Sequence, residues 1–205
     1  LKKTPSAIEY LKKRGIDGST AKRFGIGYAS NNWTKILDEY GKSKDGIENL
    51  LSTGLIIRKD ENKYYDRFRD RIMFPIRDAR GRTIGFGGRI IGNGEPKYLN
   101  SPETTLFHKG QELYGLYEAR QALRHIEHLI VVEGYMDTVA LAKNGIDSSV
   151  ATLGTATSDE HLNRLFRLTD NIYFSFDGDR AGKKAAWRAL ENTLPQIREG
   201  RQIRF

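Results

Sequence analysis

The second half of this chain alternates in texture. Apolar runs at 128–132, 148–152 and 171–176 read as strands. Between and after them, 135–143, 158–168 and 180–191 read as helices. The first ends near Gly145, and the second is capped by Ser158. Residues 202–205 read as the start of a fourth strand. Strand–helix alternation of this kind leaves few folds open, because it requires a parallel sheet with crossover helices.

The first half has a different pattern. Residues 4–51 read as short helices, with Thr4 as an N-cap, Pro5 at the first helical position and Gly15 after the end. Trp33, Ile36, Leu37 and Tyr40 recur at i, i+3, i+4 and i+7 before Gly41, which predicts amphipathic turns with these aromatics in the core. Residues 55–58, 64–68, 72–77 and 83–91 read as strands, with a turn at Asp78-Ala79-Arg80-Gly81. Pro75 cannot donate to a ladder, so its strand is expected at a sheet edge. Residues 112–124 read as a helix. The expected fold class is α/β: a mixed α+β basic subdomain over 1–112, a linking helix over 113–126 and a Rossmann-like parallel sheet over 127–205. No internal repeat or low-complexity segment interrupts this order.

Charge follows the same division. Lys and Arg number 34 against 26 Asp and Glu, a net +8. Residues 1–112 hold 22 basic against 14 acidic residues, while 113–205 hold 12 of each, so the whole excess lies in the first part. Ten basic residues fall between Arg58 and Arg89, including Arg67, Arg69, Arg71, Arg77, Arg80 and Arg82. A concentrated, arginine-rich stretch fits a polyanion, although a solvated basic surface has the same composition. The chain has no cysteine, which excludes disulfides, thiolate catalysis and cysteine-based zinc or iron–sulfur sites and suits a cytosolic protein. No apolar run approaches the ~18 residues of a membrane span, and Leu1-Lys2-Lys3-Thr4-Pro5 lacks a secretory signal. A start at Leu rather than Met reads as a fragment.

Ligands of open parallel sheets sit at the carboxyl ends of the strands. Two expected strands end in carboxylates: one at Glu133, with Asp137 following in Gly134-Tyr135-Met136-Asp137, the other at Asp177-Gly178-Asp179. Like charges brought together repel unless a cation neutralises them or one takes a proton. Oxygen ligands without nearby His or Cys favour Mg²⁺ or Mn²⁺, ions that assist phosphoryl transfer. Gly134 and Gly178 leave room for close approach. Simpler roles remain open, Asp179 as a helix N-cap and Asp137 as a solvated helix residue. An EF-hand loop starting at Asp177 is excluded by Ala181 and Arg188, and a phosphatase-type Asp-x-Asp-Gly by Arg180. The glycines at 85–88 are no dinucleotide fingerprint, since Ile90 stands where a third glycine is needed. His108, His125, His128 and His161 lack ligand spacing and read as incidental.

The two acidic motifs, Val132-Glu133-Gly134-Tyr135-Met136-Asp137 and Phe176-Asp177-Gly178-Asp179-Arg180-Ala181-Gly182, resemble those of Toprim domains, which primases, topoisomerases and some nucleases share. Upstream, residues 65–76 (YDRFRDRIMFPI) resemble the basic motif of bacterial DnaG-type primases. So do residues 85–89 (GFGGR), 96–104 (PKYLNSPET), 107–110 (FHKG) and 113–117 (LYGLY). The resemblance covers the whole chain in order and makes 127–205 an incomplete Toprim domain. It implies a DNA-templated RNA polymerase that makes short primers on single-stranded DNA. In that activity a 3′-hydroxyl attacks an NTP α-phosphate with Mg²⁺ or Mn²⁺ and releases pyrophosphate.

The resemblance also implies residue roles. Asp177 and Asp179 bind metal, Glu133 is general base or a further ligand, and Asp137 supports the same cluster. Arg89, Lys97 and Lys109 face the triphosphate or template, as do Arg67, Arg69 and Arg71, with Asn100 as a polar contact and Tyr98 stacking on a base. Arg67, Arg69 and Arg71 would line one groove if their segment stays extended; ion pairing with Asp66 or Asp70 is the alternative. Implied partners are single-stranded DNA, NTPs, the RNA primer–DNA hybrid and, for a full-length protein, a replicative helicase and a single-strand-binding protein at a bacterial replication fork. No membrane partner is implied. A complete member of the family carries a zinc ribbon, an Asp-Pro-Asp motif on the next strand and a helicase-binding domain. Without them this chain is expected to prime weakly or not at all. A topoisomerase-type Toprim protein and a non-enzymatic nucleic-acid binder are the competing classes.

Overall fold

In the first half, strand β4 (Arg71–Arg77) is buried along almost its whole length, a pattern that requires cover on both faces. The computed structural model describes Leu1, residues 4–61 and 63–205; Lys2, Lys3 and Asn62 lie outside the described residues. β4 is an interior strand of a four-stranded sheet ordered β1 (Gly27–Ala29), β4, β5 (Thr83–Ile90) and β6 (Tyr98–Asn100). Pro75 therefore does not mark an edge strand. It is tolerated because the β1 ladder reaches only Met73 and leaves β4 unpaired on that side further along. Strand β1 lay within the stretch expected to be helical.

A separate hairpin pairs β2 (Ile56–Asp60) with β3 (Lys63–Asp66). Four short helices precede it: α1 (Pro5–Lys13), α2 (Gly18–Arg23), α3 (Lys35–Tyr40) and α4 (Lys44–Ser52). Thr4 is the N-cap residue of α1 and Pro5 opens the helix, as the sequence predicts, but the Thr4 side chain makes no capping bond. Phe24, Ile56, Phe68, Ile72, Phe74 and Phe107 supply the apolar core here. Trp33 and Tyr40 do not. They are 58% and 59% exposed, because α3 is only six residues long and Trp33 packs edge-on against Tyr65 at the surface.

By its contacts the chain divides into two compact units, Leu1–Pro75 with Thr83–His108, and Ile76–Arg82 with Lys109–Phe205. Residues 109–126 group with the second unit by these contacts, together with the turn after β4. That turn forms as expected: Asp78 accepts from the backbone N–H groups of Arg80 and Arg82 at 2.9 and 3.0 Å. Gly81 (φ +80°) lies against the Tyr117 ring, where a Cβ would come within 2.6 Å of the ring.

The second unit follows the predicted alternation: α5 (Leu116–Ala122), β7 (Leu129–Val132), α6 (Tyr135–Lys143), β8 (Ser149–Ala151), α7 (Asp159–Phe166), β9 (Asn171–Phe174), α8 (Arg180–Thr193) and β10 (Gln202–Arg204). All ladder pairs of its sheet are parallel, in the order β10-β9-β7-β8. Tyr114 forms an antiparallel bridge with Ala151 at the β8 edge. Leu129, Val131, Val150, Leu162, Leu165 and Ile172 are fully buried between sheet and helices. No helix among the described residues is long and apolar enough to cross a membrane.

Candidate functional site

Chain order and strand order together locate a crevice. From β7 the chain goes to β8 on one side and then to β9 on the other. The connections therefore diverge outside the carboxyl ends of β7 and β9, the position where open parallel sheets bind ligands. Glu133 follows β7 and Asp177 lies three residues after β9, so two of the predicted carboxylates stand at this point. The strands join them: Ser175 N–H donates to Val131 C=O at 2.9 Å, and Asp177 N–H donates to Glu133 Oε1 at 2.8 Å.

The other two carboxylates are fixed by helix ends. Asp137 Oδ2 accepts the backbone N–H of Gly134 at 3.1 Å, reaching back across the first turn of α6. Asp179 is the N-cap of α8, and its Oδ1 accepts from Gly182 N–H at 2.8 Å. The N-cap role weighed for Asp179 is therefore real, and it leaves Oδ2 outside the capping bond. Gly182 is required by this geometry, since a Cβ there would fall 2.0 Å from the Asp177 carbonyl oxygen. Gly178 has nothing within 4 Å of the corresponding position. No protein backbone approaches it, so the close approach expected there is not made within the chain.

Asp137, Asp177 and Asp179 are exposed and Glu133 is half-buried. The donors are all carboxylate oxygen, the kind a hard divalent cation takes. Among the described residues, no three His, Cys, Asp or Glu side chains are grouped closely enough to hold an ion. The set suits Mg²⁺ in kind, because this ion commonly binds through one or two carboxylates and completes its octahedron with water and substrate phosphate.

The basic residues of the first unit are more structural than the sequence suggests. Residues 67–70 leave the strand conformation, and Asp70 adopts φ +50°. The condition for Arg67, Arg69 and Arg71 to line one groove is therefore not met. Arg67 Nε donates to Gly54 C=O at 2.7 Å, and burial pulls its pKa down. Arg69 stacks on Trp33 at 4.0 Å, with Tyr65 at 5.1 Å. Arg71 is 5% exposed, and burial, followed by the charge of Arg69, lowers its pKa. Asp66 and Asp70 do not serve as their ion-pair partners. Asp66 accepts the N–H groups of Ile36 and Leu37 at 2.7 and 3.1 Å and so caps α3 from a distant strand, while Asp70 accepts from Tyr28 Oη at 2.7 Å.

Arg89 is 7% exposed, and its guanidinium donates to the hydroxyls of both Tyr10 and Tyr98. Tyr98, on β6, thus engages Arg89 directly. Lys97 is exposed, Asn100 is half-buried on the same strand, and Lys109 is half-buried in the second unit.

His161 holds a structural position in the second unit that its sequence spacing does not suggest. It is fully buried and fastens residues 109–112 to the start of α7 through Nε2 contacts of 2.9 Å to Lys109 O and 3.1 Å to Glu112 O. It is not incidental. The signal was legible in principle: a residue three after an N-cap Ser can reach back to the cap, and Ser158 N–H does donate to His161 Nδ1 at 3.2 Å. Arg77 and Glu118 form a second buried element, an ion pair of 2.5 Å with Glu118 only 4% exposed.

Comparison with known proteins agrees with this arrangement. Residues 1–120 match the family model of the DNA primase catalytic core, N-terminal domain, and residues 127–205 match the Toprim domain. A DNA primase of Pseudomonas aeruginosa is 58% identical over 201 residues, which cover 98% of this chain and 30% of that protein. A DNA primase of Escherichia coli is 54% identical over 200 residues, 98% of this chain and 34% of that protein. The chain thus spans about a third of the length of these curated relatives. A crystal structure of a DNA primase domain from Pseudomonas aeruginosa superimposes with a TM-score of 0.93 at 57% identity, covering 97% of this chain and 62% of that one. A DnaG primase catalytic domain bound to single-stranded DNA gives 0.92 at 51% identity, covering 98% and 64%. With an α+β basic unit matched by one model and a parallel-sheet unit matched by the other, the chain belongs to the bacterial DnaG-type DNA primase catalytic-core family, with a Toprim domain.

Proposed function

We propose that this chain is the catalytic-core part of a protein that carries out DNA-templated synthesis of short RNA primers on single-stranded DNA by metal-dependent nucleotidyl transfer, and that by itself it primes weakly or not at all. The observation that carries the proposal is the meeting of Glu133 with the Asp177 loop at the divergence of β7 and β9, the ligand-binding position of such a sheet. A bound Mg²⁺ or Mn²⁺ would be held by Asp177 and Asp179, with Glu133 and Asp137 beside them, and would supply charge neutralisation at the phosphates. Glu133 keeps Oε2 outside its bond to Asp177, and this atom takes the proton of the attacking 3′-hydroxyl. The hydroxyl oxygen forms the new bond to the α-phosphorus, and pyrophosphate leaves with the electron pair of the broken P–O bond.

Lys97, Arg89 and Lys109 each contact triphosphate or template phosphate, Tyr98 and Asn100 lie on β6 directly after Lys97, and Arg67, Arg69 and Arg71 support the basic surface of the first unit. A solved relative holds single-stranded DNA, which supports that substrate class. A helicase and a single-strand-binding protein are proposed partners of the full-length protein at a cytoplasmic replication fork.

The test supplies single-stranded DNA, four NTPs and Mg²⁺ or Mn²⁺ to a version extended through the Asp-Pro-Asp strand, and reads short RNA products. Asp177→Asn is expected to abolish synthesis while sparing DNA binding. Unchanged synthesis by that variant refutes the metal role of Asp177.

A further inference from the structure

Residues 109–112 form a turn rather than a helix or strand, yet several of their polar groups are tied to α7. The His161 ring contacts the carbonyls of Lys109 and Glu112 through Nε2, at 2.9 and 3.1 Å. Its Nδ1 faces Ser158 N–H at 3.2 Å. Ser158 Oγ donates to Gly110 C=O while accepting from His161 N–H at 3.1 Å. Arg164 grips both oxygens of Glu112, at 2.7 and 3.0 Å.

These contacts determine a tautomer. Two carbonyls can only accept, so Nε2 carries the proton, and a backbone N–H can only donate, so Nδ1 presents its lone pair. One neutral form of the ring satisfies both sides. Among the neighbouring charges, Glu112 and Arg164 pair with each other, and Lys109 reaches the ring through its backbone carbonyl. Burial favours the same neutral form by pulling the His161 pKa down.

We propose that His161 is a positioning residue that acts through Lys109, holding the Lys109 backbone so that its ammonium meets nucleic-acid or nucleotide phosphate from a fixed place. The inference rests on the reading of Lys109 as a phosphate contact. It separates two roles that a buried histidine can have. A residue that only stabilises the fold lowers stability in any background. A residue that acts through Lys109 has no further effect on phosphate binding once that ammonium is gone.

The experiment is a double-mutant cycle on the full chain, read as affinity for two probes, ATP with Mg²⁺ and a fluorescein-labelled single-stranded DNA. Lys109→Ala is expected to weaken at least one probe about tenfold, the scale of one charge-assisted hydrogen bond. His161→Phe is expected to weaken the same probe by a similar factor, and to add less than about twofold in the Lys109→Ala background. Ser158→Ala, which loosens Gly110 while leaving the imidazole in place, should show the same dependence on Lys109 and serves if His161→Phe fails to fold. Wild-type affinity in both variants, or equal loss with and without Lys109, overturns the proposal. Wild-type affinity of Lys109→Ala for both probes overturns the underlying reading of Lys109 instead, a result visible in that single variant alone.

Discussion

Glu133 Oε1 accepts the backbone N–H of Asp177 at 2.8 Å, where an unbroken parallel ladder would direct that N–H to the Glu133 carbonyl. The carboxylate therefore replaces the last rung between β7 and β9 and ties the acidic loop to the sheet. Glu133→Gln keeps an acceptor oxygen and removes the charge. Expected is near-wild-type unfolding in urea, with primer synthesis reduced by about 10²–10⁴-fold, the usual contribution of a general base. Glu133→Ala leaves the Asp177 N–H without this acceptor and should in addition cost about 1 kcal/mol of stability. If Glu133→Gln synthesises primers at the wild-type rate, Glu133 is only a structural cap.

Two glycines four residues apart, Gly178 and Gly182 on the same loop and helix start, should respond in opposite ways to Ala. At Gly182 the new Cβ would lie 2.0 Å from a backbone oxygen, which cannot swing aside as a side-chain tip can. A loss of about 1–3 kcal/mol is expected, with a shifted Asp177 loop. At Gly178 the added methyl meets open space, so stability should stay within about 0.5 kcal/mol. Urea denaturation of both variants measures this contrast. Any loss of synthesis in Gly178→Ala without loss of stability places substrate at that residue.

The basic residues of the first unit divide by burial. Lys97 is exposed, while Arg67 is spent on the Gly54 carbonyl. For single-stranded DNA, each phosphate contact contributes about −0.7 to the slope of log affinity against log salt. Lys97→Ala should therefore flatten that slope by about 0.7 with little change in stability. Arg67→Ala should lower stability while leaving the slope nearly as it was. Fluorescence anisotropy at several salt concentrations reads the slopes. Equal slopes for Lys97→Ala and wild type remove Lys97 from the DNA-binding set.

The parallel unit was legible because its information is local. Apolar runs of strand length, Ser158 before a helix and Asp-Gly-Asp after a strand each act within a few residues. What stayed hidden depended on distant partners. Asp66 caps α3 from about thirty residues away, so nothing around Trp33 announced that this helix would be short and its aromatics exposed. The three arginines at 67, 69 and 71 alternate as a strand would, but Asp70 at φ +50° turns the chain between the second and third. The acidic residues were found from motif and order, while the strand-order divergence that makes their meeting point a crevice is a property of the sheet.

That turn at Asp70 has its own support and its own pH signature. Asp70 is the single non-glycine residue with positive φ among the described residues, and Tyr28 Oη donates to its carboxylate at 2.7 Å. Burial first, then the hydrogen bond and charge of Asp70, raise the Tyr28 pKa from 10.0 to about 12. The folded state thus keeps the phenol protonated at a pH where the unfolded chain already ionises. A raised folded pKa contributes stability that is fully present below pH 10 and is lost as pH rises toward about 12. Tyr28→Phe removes the titrating group and the bond to Asp70 together. It should lower stability at pH 7 by about 1 kcal/mol and flatten the decline between pH 10 and pH 12. Urea unfolding at pH 7, 9, 10 and 11 measures both effects, and a decline in Tyr28→Phe as steep as in the wild type assigns the alkaline loss to another group.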